Sequence, residues 1–534
     1  MHLLLQFLKT ILGKNITKQI RPLGHGIKSY LSAIYFGFPS RKLTVIGITG
    51  TKGKTSTTIL TGRLLNLVNV QAGYVSTGTI NLTGSIHDEF LNPFKMTTID
   101  GFVLQKYLSE MVNNGCNTVV LEVSSQGLEQ NRHWGVGKFE ITTFLNLFPE
   151  HIQAHGSLEN YLAAKGKLFE KIAKSGVFIA TSEESQVSNT NFMWSRIPDR
   201  IRPTITRVGV PESLHIQSIK NISSVFKTIK IGQNIIHTKL LADFEITNLI
   251  FAAQTVKVCK TVTELELANA ISSLHTSIPG RMEFVVENGV KVGINQKNIP
   301  TDIPPILELN KAVDGSEKIW PISILVDYAH EPESNRRLLD TLLQWKKQEI
   351  YTQVIHILSS DGAGRDDWKK PIMGKTSYDL ADFTIFTTDN YDNSDNPQEI
   401  LDLLSQKLPK AFELKLKPNH LPDDFTGSDF PESKLSLGVL EHQDKDLDNF
   451  VLKDKKFLKE IDRRRAFKYG LSIARRFIQE NTSYQYQNTK VLIVSTGVGS
   501  EQGLTHPKGK LHWDERVSWI EEWMDFEVRS MQNS

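Results

Sequence analysis

The chain has 534 residues, of which 39% are hydrophobic and 23% are charged, and its formal net charge is +3. This composition excludes a disordered or membrane-spanning chain. A single hydrophobic core stops growing at about 250–300 residues, so we expect two or three domains. The two cysteines, Cys116 and Cys259, exclude a disulfide framework and favour a reducing, cytoplasmic compartment.

Positive charge is concentrated in the first part of the chain, because no acidic residue precedes Asp88. Residues 1–20 combine apolar runs such as Leu3-Leu4-Leu5 with Lys14 and Lys18. Three interpretations fit this segment: a helix packed on the next domain, an amphipathic helix in peripheral contact with an anionic membrane, or a signal peptide. The apolar stretch is shorter than the ~20 residues that cross a bilayer.

Strand-like and helix-like stretches alternate along two halves of the chain, which is typical of α/β proteins with parallel sheets. The predicted strands are Leu43–Ile48, Thr118–Leu121, Ile141–Leu145, Ile322–Val326, Val354–Leu358, Phe383–Phe386 and Val491–Val494. The predicted helices begin near Thr55 and span Phe102–Val112 and Leu158–Ala173.

These elements predict three regions. Residues 1–42 form a short basic segment, 43–280 a central α/β domain with a P-loop-type parallel sheet, and 281–534 a Rossmann-like α/β domain. Within the last region, the polar stretch 418–456 is an expected exposed insertion.

A phosphate-binding loop is the first chemical motif. It runs from Gly47 to Thr55 between a predicted strand and a predicted helix. Glycine N–H groups bind phosphate oxygens in such loops, a lysine reaches the β- and γ-phosphates, and a threonine hydroxyl binds Mg²⁺. Ile48 stands where the strict pattern has glycine, so the loop is a variant, and a merely glycine-rich turn is the alternative. The expected ATP contacts are Gly50, Thr51, Lys52, Gly53, Lys54, Thr55 and Ser56.

A carboxylate and a second motif follow this loop. Glu122 ends the strand Thr118–Leu121, at the edge where open parallel sheets bind ligands. The stretch 146–169 contains Glu150-His151, His155-Gly156 and Ala164-Lys165.

Together these motifs resemble the Mur ligases and their folylpolyglutamate synthase relatives, where Thr-Asn or Thr-Lys precedes Gly-Lys-Thr. The resemblance implies Mg²⁺ ligation by Thr55, Glu122, His151 and a carbamoylated Lys165, with Lys54, Glu122, His151 and Lys165 as catalytic residues. Without it, His151 is a loop histidine bonded to backbone and Lys165 a solvated helix lysine. Metal ions and Lys54 would neutralise the two anions that meet when a carboxylate attacks the γ-phosphate.

Further motifs resemble the tripeptide-forming, MurE-type branch of the family. They imply that Thr97, Thr98, Ser124 and Arg132 contact a uridine-diphosphate sugar-peptide, although the two threonines could simply cap the following helix. They also imply nucleotide contacts from Asn248, Arg281, Asp327 and His330. Only residues 1–42 precede the first strand, where MurE-type ligases carry a separate nucleotide-gripping domain, so this region is shortened.

The amine-side motifs depart from the MurE pattern. Arg365 matches the arginine that meets the incoming carboxylate, a task that suits a guanidinium. Asp389-Asn390 is followed by Tyr-Asp in place of Pro-Arg, and Gly497 to Glu501 lacks the family's lysine and histidine. The resemblance therefore implies an amino-acid site formed by Arg365, Asp389, Asn390, Gly497 and Glu501 without naming the amino acid.

The sequence thus predicts an ATP- and Mg²⁺-dependent amide ligase that forms an acyl phosphate on a UDP-MurNAc-peptide and couples it to an amino acid in peptidoglycan precursor synthesis. A Mur-derived ligase with another carboxylate substrate and a non-catalytic nucleotide-binding subunit are the alternatives. We expect a monomer that binds no nucleic acid, because the basic charge surrounds a phosphate loop without an aromatic stripe.

Overall fold

A computed structural model describes residues 21–94, 96–150, 155–210, 217–223, 226–231, 233–238, 240, 242–274, 277–292, 320–362, 364, 366–414, 455–480, 489–506 and 509–532. By internal contacts the chain divides into unit 1, Met1–Ile278, and unit 2, Pro279–Ser534. The predicted boundary near Gly280 lies beside this division. The predicted segment 1–20 and nearly all of the predicted insertion 418–456 fall outside the described residues.

Unit 1 is an α/β unit with one large sheet. Its helices are α1 (21–35), α2 (Lys54–Leu67), α3 (Gly101–Asn113), α4 (Ser125–Glu129), α5 (Leu158–Gly166), α6 (Val187–Ser195), α7 (Asp243–Cys259) and α8 (Glu264–Ser272). Its strands are β1 (Thr44–Thr49), β2 (Ala72–Val75), β3 (Thr79–Asn81), β4 (Phe90–Leu91), β5 (Thr118–Glu122), β6 (Phe139–Phe144), β7 (Ile172–Thr181), β8 (Thr206–Val210), β9 (Gln217–Ser223), β10 (Phe226–Ile231) and β11 (Asn234–Thr238).

The large sheet of unit 1 has the order β4-β3-β2-β5-β1-β6-β7-β8. Strands β2, β5, β1, β6, β7 and β8 are parallel, as predicted, while β3 and β4 add an antiparallel edge. Strands β9 to β11 form a separate antiparallel sheet that the sequence did not predict. The parallel order places the carboxyl ends of β2, β5, β1 and β6 side by side, which is where ligands bind in such sheets.

Strand β1 lies in the middle of the sheet and is buried on both faces. Val45 packs into one core, with side chains of α3, whereas Ile46 and Ile48 pack into the other, with side chains of α2 and α7. Alternate residues of a strand point to opposite faces, so a continuous apolar run is what a strand covered by helices on both sides requires.

One predicted helix ends too late. Helix α5 stops at Gly166, and β7 begins at Ile172, so the prediction of helix through Ala173 was wrong. Strand β7 pairs with β6, with Ile141 opposite Val177, and Ile172 is fully buried. Sheet pairing with a strand from elsewhere in the chain therefore decides this boundary, and no proline or glycine cluster marks it in the sequence.

Unit 2 is a second α/β unit. Its helices are α9 (Pro332–Lys347), α10 (Lys370–Leu380), α11 (Pro397–Ser405), α12 (Arg463–Glu480) and α13 (Glu515–Gln532). Its strands are β12 (Glu283–Glu287), β13 (Val290–Lys291), β14 (Ile322–Val326), β15 (Gln353–Ser360), β16 (Phe383–Thr388), β17 (Phe457–Lys459), β18 (Val491–Thr496), β19 (Leu504–His506) and β20 (Gly509–Leu511).

The main sheet of unit 2 has the order β13-β12-β14-β18-β15-β16-β17. Strands β14, β18, β15, β16 and β17 are parallel, and β12 pairs antiparallel with β14. All four strands predicted for this half are present, and each lies within the predicted parallel arrangement. Among the described residues, none of the helices has the length and apolar character needed to cross a bilayer.

Candidate active site

The phosphate loop joins β1 to α2 and turns at Gly53, whose φ is 83°. A Cβ atom on Gly53 would lie 2.2 Å from the Oδ1 atom of Asn248, so only glycine fits there without displacing this side chain. No side chain caps the first turn of α2 among the described residues. Its N–H groups are therefore oriented to receive an anion, as at the start of other phosphate-binding helices.

Asn146, which follows β6, holds the loop in place. Its Oδ1 atom accepts hydrogen bonds from the backbone N–H groups of Thr51, at 3.2 Å, and Lys52, at 2.9 Å. Its Nδ2 atom donates to the carbonyl of Lys52 at 3.2 Å. The sequence motif contained Asn146 without assigning it a role, and the structure makes it a positioning residue of the loop.

Glu122 is the centre of a buried group of threonines. Its carboxylate accepts hydrogen bonds from the Thr55 hydroxyl, at 3.0 and 3.1 Å, and from the Thr77 backbone N–H, at 2.6 Å, and hydroxyl, at 3.0 Å. The Thr77 hydroxyl also lies 3.0 Å from that of Thr97. Three predicted residues thus come together, and Thr77, which follows β2, was not predicted.

The predicted substrate residues form a second group beside Glu122. The hydroxyls of Thr98 and Ser124 are 3.0 Å apart, and the Arg132 guanidinium donates to the Thr98 carbonyl at 2.6 Å. Asp100 caps α3 by accepting a hydrogen bond from Phe102 N–H. The alternative that the threonines cap this helix was therefore wrong.

Lys165 reaches the phosphate loop from α5. Its Nζ atom donates to the Gly50 carbonyl at 2.7 Å and lies 4.4 Å from the centre of the Tyr161 ring. The pKa of Lys165 is well below its usual value, first because the amine is buried and then because Lys54 is nearby, while Glu150 opposes the shift. Lys165 is therefore a buried side chain of α5 and not a solvated helix lysine.

His155 lies just before α5 and contacts two residues of α4. The Nε2 atom of His155 lies 3.0 Å from the Ser125 hydroxyl, and its Nδ1 atom lies 3.2 Å from the Glu129 carboxylate. The predicted metal ligand His151 itself lies outside the described residues. These contacts fix the chain four residues after it, at the start of α5.

In unit 2, Asp327 follows β14 and is buried. Its carboxylate accepts the N–H groups of Met282, at 2.9 Å, and Ala329, at 2.8 Å. Burial raises the pKa of Asp327, and the nearby Arg281 guanidinium opposes that shift. The structure therefore brings Arg281 and Asp327 together, as the sequence predicted.

Tyr328 links three further predicted residues. Its ring lies 4.1 Å from the Arg281 guanidinium and 4.7 Å from the His330 ring, and its hydroxyl donates to the Glu501 carboxylate at 2.7 Å. Glu501, predicted on the amine side, thus lies in the Arg281 and His330 group. Tyr328 lies between the predicted residues Asp327 and His330 in the sequence and was not itself predicted.

The other amine-side residues lie at the ends of β15, β16 and β18. Asp389 accepts a hydrogen bond from the Ser359 hydroxyl at 2.8 Å, and its pKa is well above the usual value because of burial and then the Asp361 carboxylate. A Cβ atom on Gly497 would lie 2.1 Å from the Ser359 hydroxyl. Asn390 accepts the N–H of Thr505 at 2.9 Å. The predicted Arg365 lies outside the described residues.

These arrangements fit ATP and Mg²⁺ in unit 1. The uncapped start of α2 and the Gly53 turn provide the space and the N–H groups that phosphates need. Thr55 and Glu122 supply the hydroxyl and carboxylate oxygens that Mg²⁺ prefers. Lys54, whose Nζ atom donates to the Thr51 carbonyl at 2.9 Å, supplies a cation within the loop.

Comparison with known proteins places this geometry in a family. Residues 48–256 match the model of the Mur ligase middle domain, and residues 315–420 match that of the Mur ligase glutamate ligase domain. A UDP-N-acetylmuramyl-tripeptide synthetase of Oceanobacillus iheyensis is 28% identical over 377 residues, covering 70% of this chain and 67% of the relative. The UDP-N-acetylmuramoyl-L-alanyl-D-glutamate--2,6-diaminopimelate ligase of Thermosynechococcus vestitus is 30% identical over 390 residues, covering 71% and 67%.

Solved structures share the fold. The folylpolyglutamate synthase of Mycobacterium tuberculosis, complexed with ADP, superimposes with a TM-score of 0.56 at 11% identity, over 88% of this chain and 91% of that one. MurF from Acinetobacter baumannii gives 0.52 at 12% identity, over 95% and 80%. At such low identity these two likenesses support the fold alone.

Proposed function

The chain belongs to the Mur ligase family and is an ATP-dependent, ADP-forming ligase, and we propose that it couples an amino acid to the terminal carboxylate of a UDP-MurNAc-peptide. The family uses ATP and Mg²⁺. The observation that carries this proposal is the Glu122 group, in which Thr55 of the phosphate loop donates to a carboxylate beside the Thr98 and Ser124 pair. Helix α2 and the group proposed to contact the substrate thus meet at one strand end.

The chain's own residues have distinct parts in the proposed reaction. The N–H groups at the start of α2 and the Lys54 ammonium bind the β- and γ-phosphates. When bound to Thr55 and Glu122, Mg²⁺ would neutralise charge on the transferring phosphoryl group. The substrate carboxylate attacks the γ-phosphorus, ADP leaves, and an amine then displaces phosphate from the acyl phosphate to form the amide.

We propose that Lys165 carries a carbamate in the active enzyme. A carbamate forms when a neutral amine attacks carbon dioxide and loses a proton, and burial, which lowers the pKa of Lys165, favours that neutral form. The product is an anion that can bind Mg²⁺, and its remaining N–H can still donate to the Gly50 carbonyl. Lys52 and Lys54, both near Lys165, would stabilise that anion.

We propose that the UDP-MurNAc-peptide binds at four residues: Thr97, Thr98, Ser124 and Arg132. The Arg132 guanidinium and the two hydroxyls of Thr98 and Ser124 are suited to carboxylate or phosphate oxygens of a sugar-peptide. The relatives described above, which are named for muramoyl-peptide substrates, are matched over about two thirds of their length.

The amine site is proposed at Asp389, Asn390 and Gly497, with Arg365 receiving the carboxylate of the incoming amino acid. Asp361 and Asp389 lie at the ends of adjacent parallel strands, since Ser360 pairs with Thr388. Tyr391-Asp392 replaces the Pro-Arg pair of diaminopimelate-adding enzymes, so these positions do not identify the incoming amino acid.

A phosphate-release screen tests the function. Purified enzyme, ATP and Mg²⁺ are incubated with UDP-MurNAc-dipeptide and each amino acid in turn, and we expect ADP and phosphate to form with one or a few of them. Lys54→Ala should abolish this turnover with the fold intact by circular dichroism, whereas the exposed Lys106→Ala control should behave as wild type. Normal turnover in Lys54→Ala would contradict the assignment. No turnover with any amino acid would favour another carboxylate substrate or a non-catalytic subunit.

We further propose that the ligase works in the cytoplasm as a monomer. Peripheral contact of residues 1–20 with a membrane lies outside the described residues and stays a prediction.

A further inference from the structure

Helix α1 is amphipathic with its apolar side facing outward. Its large apolar side chains are 48% to 78% exposed, and we call them the α1 apolar face: Leu23, Ile27, Tyr30, Leu31, Ile34 and Tyr35. At about 100° per residue these positions fall within a sector of about 140°. Scattered exposed apolar residues are ordinary, but a continuous stripe of this kind indicates an interaction surface.

The buried side of α1 consists of small residues. The Ser29 hydroxyl donates to the Arg132 carbonyl at 2.7 Å and accepts the Gly135 N–H at 3.0 Å. A Cβ atom on Gly26 would lie 2.7 Å from the Trp134 ring. The small residues of α1 therefore hold the helix to unit 1 by close backbone approach and hydrogen bonds, while its large apolar side chains stay about half exposed or more.

Aromatic and basic residues extend this surface beyond the helix. Phe102 is 41% exposed and lies 6.3 Å from the Tyr35 ring and 5.3 Å from the Phe36 ring, centre to centre. The Arg41 guanidinium lies 4.0 Å over the Phe38 ring, and the neighbouring Lys42 is exposed. An apolar stripe with aromatic rings and basic side chains at its edge is the composition of helices that lie in the headgroup region of a membrane.

We propose that the α1 apolar face binds an anionic lipid surface and holds the enzyme at the membrane as a peripheral protein. Charge selects this occupant, since the chain has ten lysines and arginines and no acidic residue before Asp88. Anionic headgroups attract that charge, whereas a second copy would bring like charges together. Residues 1–20, which precede α1 in the sequence, add Lys9, Lys14 and Lys18 to this positive charge.

The inference deepens the membrane contact predicted for residues 1–20 and is independent of ligation, so the two can fail separately. Full-length enzyme is sedimented with vesicles of phosphatidylglycerol mixed with phosphatidylcholine, and with vesicles of phosphatidylcholine alone. We expect binding to the anionic vesicles, weakening as salt is raised. Leu31→Ser should weaken it about tenfold.

Leu265→Ser is the matched control, because Leu31 and Leu265 are both 58% exposed on helices of unit 1. The control should bind like wild type, and both variants should keep the basal ligase activity measured without lipid. Equal vesicle binding by wild type and Leu31→Ser, or no binding to anionic vesicles, would overturn the proposal.

Two further measurements test whether a second copy or another part of this chain covers the α1 apolar face. Light scattering that finds a dimer in solution, converted to a monomer by Leu31→Ser, would assign the face to a second copy and overturn the lipid proposal. A Leu31→Cys variant should react rapidly with a water-soluble maleimide in the absence of lipid and slowly with anionic vesicles present, with wild type giving the background of Cys116 and Cys259. Slow reaction without lipid would mean that this chain covers its own face, and would also overturn it.

Discussion

The Nζ atom of Lys165 lies 2.7 Å from the carbonyl oxygen of Gly50, so a buried amine of α5 contacts the phosphate loop directly. The two residues are 115 positions apart in sequence. The contact couples the protonation and chemical state of one side chain to the position of the loop that receives ATP. It also places any anion formed on Lys165 beside Lys54.

Replacing Lys165 tests the carbamate. Lys165→Ala should lose nearly all ligase activity, because the anionic oxygen ligand is absent, and should recover part of it when short carboxylic acids are added to fill the space and supply a carboxylate. Amino-acid-dependent phosphate release measures both effects. Lys167→Ala, at the half-buried residue that follows the end of α5, should remain active without additives. Full unassisted activity of Lys165→Ala would disprove the carbamate.

Gly53→Ala should weaken ATP binding about tenfold to a hundredfold. The added Cβ would meet the Asn248 Oδ1 atom at 2.2 Å, and a φ of 83° costs a residue other than glycine ~1–3 kcal/mol. Calorimetric titration with a non-hydrolysable ATP analogue measures the change. A second substitution, Asn248→Ala, should relieve the overlap but not the backbone strain, so the double variant should bind more tightly than Gly53→Ala and more weakly than Asn248→Ala. Wild-type affinity in Gly53→Ala would be the contrary result.

Thr77→Val should raise the Mg²⁺ concentration needed for half-maximal activity by about tenfold or more. The substitution removes the hydroxyl that donates to Glu122 at 3.0 Å, and a hydrogen bond to a charged group contributes ~1.5–3 kcal/mol. Thr77→Ser keeps the donor and serves as the control. Identical Mg²⁺ dependence in the valine and serine variants would exclude a positioning role for this hydroxyl.

The buried His356 should make unit 2 sensitive to acid. Burial lowers the pKa of His356 to about 3, and its ring nitrogens contact the hydroxyls of Ser377 and Thr496. The imidazole of His356 takes up a proton near pH 6.5 in the unfolded chain but not in the folded chain. The contribution of the neutral His356 to the stability of the folded chain is therefore fully present above pH 6.5. It is lost by ~1.4 kcal/mol per pH unit as pH falls from there toward 3.

Urea unfolding at pH 7.5 and pH 5 measures this effect. When the pH is lowered from 7.5 to 5, the free energy of unfolding of wild type should decrease by ~2 kcal/mol more than that of His356→Gln, and the difference should arise below pH 6.5. His87→Gln, which changes an exposed imidazole, should retain the wild-type slope. If His356→Gln also retains it, another group causes the acid sensitivity.

The sequence predicted the parts of the fold that depend on local pattern. The apolar run of β1, the glycine and lysine loop and the start of α2 form one continuous signal, and all are present. Glu122 was expected at a strand end because a short β-branched run precedes it. In unit 2 the same logic located β14, β15, β16 and β18.

Partnerships between distant segments could not be predicted in this way. Thr77 donates to Glu122, and Asn146 holds the loop, only because β2, β5, β1 and β6 are consecutive neighbours in the sheet. Asp361 affects Asp389 for the same reason, through the pairing of β15 with β16. Strand order is a property of the whole unit, so a single segment does not reveal it.

Strand β12, which begins five residues after Ile278, pairs with β14 and with β13, and both partners belong to unit 2. Every described strand of each sheet therefore comes from one side of the division in the chain. A gene cut between the codons for Ile278 and Pro279 would leave both sheets with their full set of described strands. We therefore expect residues 1–278 and 279–534 to fold as separate polypeptides, each with its own sheet.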